Sequence, residues 1–253
     1  MRFKEFITED RMFTHLDGNS KELPDIIEKE CSDILKIYRS TGKYLYRGEK
    51  DAKMNTVFKA GIHPERIPVQ MDPSTHTKFK NAMIAAGFKA HRGNSIFTTG
   101  NTGTASEWGK TFIILPTNGF DYTWFDYDDR YSNGYVFNDI EEFSNRRRYQ
   151  MAYTRMNDYG LDKINVELKN DPNYREKDTL EQYSKFGFNS DGSIRPWKEI
   201  ELEIWKNFVT VSLGAMKTRL SEAVSDGKEV LFANCEYYGI PLIEKAIYKF
   251  IKK

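Results

Sequence analysis

The run Phe112-Ile113-Ile114-Leu115, bounded by Lys110 and Pro116, constrains this chain more than any other segment. It is too short for a buried helix and lacks polar alternation, so it reads as a strand buried in the core. Such a strand needs layers packed against it, and the neighbouring sequence supplies amphipathic helices. Over residues 23–42 the apolar side chains Ile27, Cys31, Ile34, Leu35 and Tyr38 recur at helical spacing, with Pro24 in the first turn and Gly42 as the stop. Residues 74–86 repeat the pattern through Phe79, Ala82, Met83 and Ala86 before Gly87. Residues 43–47 alternate through Leu45 and read as a strand ending at Arg47, before Gly48. Residues 90–99 read as a strand and turn, and residues 229–233 as a further short strand. A long helix is expected over 196–223, through Ile204, Phe208, Val211, Ala215 and Leu220. Ile243, Ile247, Phe250 and Ile251 mark a closing helix or an apolar strand end.

Between these patterned stretches, residues 120–195 are rich in Asp, Tyr and Asn and show no clear period. They read as an insertion within one domain that spans residues 10–253, because no compositional linker divides the chain. Loops on a rigid scaffold tend to select substrates, which is the role expected of this insertion.

The charge balance narrows the function classes. The 253 residues carry 38 Lys+Arg against 37 Asp+Glu, a formal charge of +1. A protein that coats nucleic acid needs a basic excess to neutralise phosphates. This chain has none, and its one basic cluster is Arg146-Arg147-Arg148. Hydrophobic residues at 39% and aromatic residues at 14% bury enough surface to offset ordering entropy, which argues against disorder. Cys31, Cys235, His15, His63, His76 and His91 show no paired spacing, so no metal site is expected. The two cysteines read as free thiols of a reducing compartment. No apolar stretch approaches the roughly 20 residues that span a bilayer. The charged N-terminus has no apolar core and is not a secretory signal.

Three short signals stand in chain order: Tyr46-Arg47-Gly48 at a strand end, Phe97-Thr98-Thr99 after a second strand, and Gly227-Lys228-Glu229-Val230-Leu231 opening a third. Together they resemble the ADP-ribosyltransferase family, in its Arg, Ser/Thr and Glu version. The likeness covers at most half of the chain. It implies an α+β fold, a split β-sandwich flanked by helices, and transfer of ADP-ribose from NAD to a host macromolecule. Arg47, beside Gly48, matches the residue that holds the NAD phosphates and ribose. Thr98 and Thr99 match the hydroxyl motif, and Thr98 is expected to hold Arg47 or Glu229 in place. Tyr46, Phe97 and Trp108 are candidates to pack on the nicotinamide. Glu229 matches the catalytic glutamate, with Glu236 as the alternative. Position 100 is Gly where the family pattern ends in Ser, and position 227 is Gly where arginine-modifying members carry Glu and some others Gln. Acceptor choice therefore does not carry over.

A second resemblance concerns residues 1–9, Met-Arg-Phe-Lys-Glu-Phe-Ile-Thr-Glu, which are similar to the capsid-targeting peptides of internal head proteins of large tailed bacteriophages. It implies prohead-protease cleavage after Glu9 and residence in the virion interior, then in the host cytoplasm. The alternative expectation is a non-enzymatic internal capsid protein that binds DNA or a host factor.

Overall fold

The computed structural model describes residues 13–62, 73–126 and 214–252, with scattered positions between 199 and 210. The chain forms two compact units, one made of residues 1–131 and 209–253, the other of residues 132–208. All the elements named below belong to the first. The peptide 1–9, His63, the Arg146-Arg147-Arg148 cluster and most of the expected insertion lie outside the described residues.

Among the described residues, nine strands form two sheets. The larger runs in the order β1 (Thr14–Leu16), β3 (Val57–Gly61), β9 (Glu236–Pro241), β5 (Lys110–Pro116), β2 (Tyr46–Glu49). The smaller runs β4 (Ile96–Thr98), β8 (Val230–Ala233), β6 (Asp121–Phe125), β7 (Ala215–Met216). Every neighbouring pair is antiparallel. Six helices complete the described elements: α1 (Leu23–Glu30), α2 (Ser32–Thr41), α3 (Pro73–Ala85), α4 (Thr102–Ser106), α5 (Leu220–Ser225) and α6 (Glu244–Phe250). The class is α+β. No helix among the described residues is long and apolar enough to cross a membrane.

The apolar run of β5 lies between β9 and β2, and Phe112 to Leu115 are all buried. Tyr38 fixes α2 onto this sheet: its buried hydroxyl donates to the Ile114 carbonyl at 2.8 Å and accepts from the Leu45 N–H at 3.2 Å. A phenol buried there needs both bonds to offset its lost hydration. Burial raises its pKa.

Several expected elements have different bounds. The helix over 23–42 is two helices, because Asn118 inserts at the joint. Its backbone N–H donates to the Glu30 carbonyl at 2.6 Å and its side-chain amide to the Lys29 carbonyl at 2.9 Å. Its side-chain oxygen accepts from the Asp33 N–H at 3.1 Å. One side chain thus satisfies the end of α1 and the start of α2, a recognised cause of helix kinks. The first strand is shifted, so Arg47 is the second residue of β2 instead of its last. The strand in residues 90–99 shrinks to β4, preceded by a turn. The long helix over 196–223 does not form as one piece: Gly214 has φ +56°, Ala215 and Met216 form β7, and Leu220 opens a separate helix. Residues 121–125, assigned to the insertion by composition, are β6, an interior strand of the smaller sheet.

Candidate functional site

The two sheets meet at one seam. Tyr46 of β2 and Thr99, just past β4, exchange backbone hydrogen bonds of 2.7 and 2.9 Å. On its other side β4 pairs with β8, with Phe97 opposite Leu231 and Thr98 opposite Val230. The ladder ends there, and Thr99 and Glu229 are the next residues beyond it on the two chain segments. Tyr46 on β2, Thr99 just past β4 and Glu229 just before β8 therefore follow one another across the bridge and the ladder, about 10 Å across at the usual interstrand spacing. β6 continues the row, as the Phe125 N–H donates to the Glu229 carbonyl at 3.4 Å.

Arg47 points from β2 into a buried polar network. Its Nε donates to Glu49 Oε1 at 2.6 Å, and one terminal nitrogen donates to the Phe97 carbonyl at 3.0 Å. Glu49 shares the strand face of Arg47 by the two-residue period, and its Oε1 also accepts the Tyr237 hydroxyl at 3.0 Å. The Arg47 and Glu49 side chains are 12% and 7% exposed. Desolvation alone pulls the Arg47 guanidinium pKa down. The charge of Glu49 and the phenol of Tyr237 outweigh it, so the net shift is upward and the group stays a cation. Glu49 and Tyr237 are the partners that sequence reasoning missed. The i, i+2 spacing of Arg47 and Glu49 within one strand is the signal that points to the first of them.

On the smaller sheet, Glu229 precedes β8. Arg92, from the turn before β4, sets a guanidinium nitrogen 3.9 Å from Glu229 Oε1. The same guanidinium lies over the rings of Phe97 and Phe79, at 4.9 and 5.2 Å from their centroids. Burial lowers the Arg92 pKa, and the Glu229 carboxylate opposes that shift. Tyr237, Glu49, Arg47, Phe97, Arg92 and Glu229 thus form one unbroken line of contacts across the seam.

The remaining expected site residues are placed as follows. The Thr98 hydroxyl is buried and donates to the Val230 carbonyl at 2.8 Å. It therefore braces β4 against β8 and does not hold Arg47 or Glu229 directly, correcting the expectation. Thr99 accepts the Asn101 N–H at 3.1 Å and so shapes the entry to α4, where Asn101 caps the Thr104 N–H at 3.1 Å. Gly48 lacks a Cβ because the Ala105 carbonyl of α4 sits against it. Tyr46 is half-buried beside the bridge, and burial raises its pKa. Phe97 turns its ring to Arg92. Trp108 is 42% exposed, in the loop between α4 and β5. Glu236 belongs to the other sheet: it opens β9 opposite Gly61 and pairs with Lys59 at 2.8 Å. Both cysteines are free thiols.

The two departures from the family pattern form one contact. Gly100 donates its N–H to the Gly227 carbonyl at 3.2 Å, and a Cβ on Gly100 would overlap the Gly227 Cα. Gly227 itself has φ +69°, where an L side chain is strained. The backbone just before Glu229 therefore packs against the end of the hydroxyl motif.

No protein-family model matches the chain, and searches of curated proteins and of solved structures return no match either.

Proposed function

We propose that this protein is an NAD-dependent ADP-ribosyltransferase of the Arg, Ser/Thr and Glu version, with a split β-sandwich core, that modifies a host macromolecule. The observation that supports the reading is the seam: Arg47 on β2, the Thr98-Thr99 pair at the end of β4 and Glu229 just before β8 are distant in sequence and are joined by the Tyr46–Thr99 bridge and the β4–β8 ladder. Glu229 stands one residue before β8, next to the place where the resemblance expects a glutamate that opens the strand.

The reaction breaks the bond between the ribose and the nicotinamide nitrogen. Its electron pair leaves with nicotinamide, which departs neutral, and positive charge develops on the ribose. The acceptor nucleophile then bonds to the ribose carbon and gives up a proton. Glu229 accepts a ribose hydroxyl hydrogen bond and stabilises the charge that appears in the transition state more than the ground state. Arg47 is anchored by Glu49 and Phe97, and the guanidinium fork has further N–H donors for phosphate oxygens. Thr98 keeps the strands of Arg47's anchor and of Glu229 in register. With glycine at 227, no side chain there orients the acceptor, and acceptor choice falls to other parts of the chain. The N-terminal peptide fits packaging of the enzyme in a phage head and its delivery with the DNA.

The test is incubation with labelled NAD and host lysate, using the parent protein, Glu229→Gln and Glu236→Gln. Label transfer or NAD hydrolysis by the parent, lost only in Glu229→Gln, is expected. Loss only in Glu236→Gln moves the catalytic assignment. Absence of both reactions in the parent overturns the reading and favours the non-enzymatic capsid protein.

A further inference from the structure

We infer that Arg92 is a positioning residue for Glu229, an inference that rests on the reading of the site above. A carboxylate that is to meet a developing charge must be ionised and held in one place before the charge appears. Arg92, from outside the three motifs, sets a positive charge beside the carboxylate.

Arg92 comes from a turn that is tied down on its own account. The His91 N–H donates to Asn94 Oδ1 at 2.9 Å, the Asn94 N–H to the His91 carbonyl at 3.1 Å, and the Asn94 amide to the Lys89 carbonyl at 2.9 Å. The guanidinium then lies over Phe79 from α3 and Phe97 from β4. A planar cation on two rings keeps its charge where an ammonium would seek water. Its nitrogen is 3.9 Å from Glu229 Oε1, beyond hydrogen-bond length. Arg92 therefore acts on the carboxylate through charge and does not cap the oxygen. The side chains are 18% and 19% exposed, so water screens the pair only partly. Phe97 links the two cations of the site: its carbonyl takes a hydrogen bond from Arg47 and its ring carries Arg92.

The experiment measures kcat and KM for NAD hydrolysis by the parent, Arg92→Gln and Arg92→Lys, with thermal melts of each. Arg92→Gln is expected to lower kcat about 10- to 100-fold, the size of effect that misplacement of a reacting group produces. Its KM stays within roughly twofold, since Arg92 is not assigned to NAD binding. Arg92→Lys restores part of kcat, because it returns the charge without the planar stack. An Arg92→Gln protein as active as the parent, a loss confined to KM, or an Arg92→Lys no better than Arg92→Gln overturns the inference. If Arg92→Gln does not fold, Phe79→Leu keeps the cation and removes half of its clamp. A lower kcat at unchanged KM then supports the inference and an unchanged kcat overturns it. NAD turnover by the parent, as hydrolysis or label transfer, with no effect of these variants sinks this inference alone, whereas absence of both reactions in the parent sinks the reading of the site and this inference with it.

Discussion

Arg47 and Arg92 are two partly buried cations, each facing a glutamate, on opposite sides of the seam between the sheets. Arg47 meets Glu49 at 2.6 Å, and Tyr237 completes that carboxylate. Arg92 stands 3.9 Å from Glu229 and rests on two aromatic rings. The first pair is a direct charge-assisted hydrogen bond deep in the protein, and its net effect is to hold Arg47 as a cation. The second leaves a gap between the charges, and its carboxylate is more exposed than that of Glu49. A carboxylate engaged at close range by a guanidinium and a phenol is committed to structure. On the proposed reading, Glu49 supports the site and Glu229 is its working group.

The largest expected effect separates the pairs by stability. Arg47→Met leaves Glu49 buried without its cation and should cost about 3 to 5 kcal/mol in urea unfolding. Arg92→Met, whose glutamate partner is nearer to water, should cost less than about 2. Equal losses would break the distinction. Next, Gly100→Ala should cost about 1 to 3 kcal/mol by calorimetry, because its Cβ meets the Gly227 backbone, which cannot swing away as a side-chain tip would. A neutral result would show that the seam is looser than the contact implies. Thr98→Val removes one hydrogen bond to the Val230 carbonyl and should cost about 1 kcal/mol. Its NAD turnover should remain within roughly twofold of the parent. A collapse of turnover at unchanged stability would return Thr98 to direct contact with the site's charged groups.

The smallest effect is a pH dependence at the base of the Arg92 turn. Desolvation, aided by Lys80, lowers the His91 pKa, and its Nδ1 accepts the Gly93 N–H at 3.2 Å. The folded state therefore binds fewer protons than the unfolded state. The stability from His91 is present above its ordinary pKa of about 6.5 and is lost as the pH falls through the folded value. Between pH 7.5 and 5.5, unfolding free energy should fall further in the parent than in His91→Gln. Equal pH dependence of the two would contradict this.

Legibility from sequence followed burial pattern. β5 and α3 stood out because a continuous apolar run and a clean 3.6 period each have few other readings. β9 did not, although it lies between β3 and β5 in the larger sheet. Glu236-Tyr237-Tyr238-Gly239-Ile240-Pro241 carries a Gly and a Pro that read as loop punctuation. The Gly is there because the Phe58 ring occupies the space its Cβ would need. The three family motifs were readable as residue types at strand edges. Arg92 was not, since His91-Arg92-Gly93-Asn94 has the composition of a solvent turn, and nothing local shows that the turn folds its cation back over Phe79 and Phe97. The long helix over 196–223 failed because a period of apolar residues cannot reveal that Gly214 takes positive φ and starts a strand.

On the proposed function, Arg47 and Glu229 serve one NAD molecule, the first by binding and the second by catalysis. Calorimetric titration of NAD into the parent, Arg47→Lys and Glu229→Gln tests it most directly. Glu229→Gln is expected to bind NAD as tightly as the parent, and Arg47→Lys, lacking the bidentate fork, at least about 10-fold more weakly. NAD binding that is absent from the parent, or that is unchanged in Arg47→Lys, would contradict it.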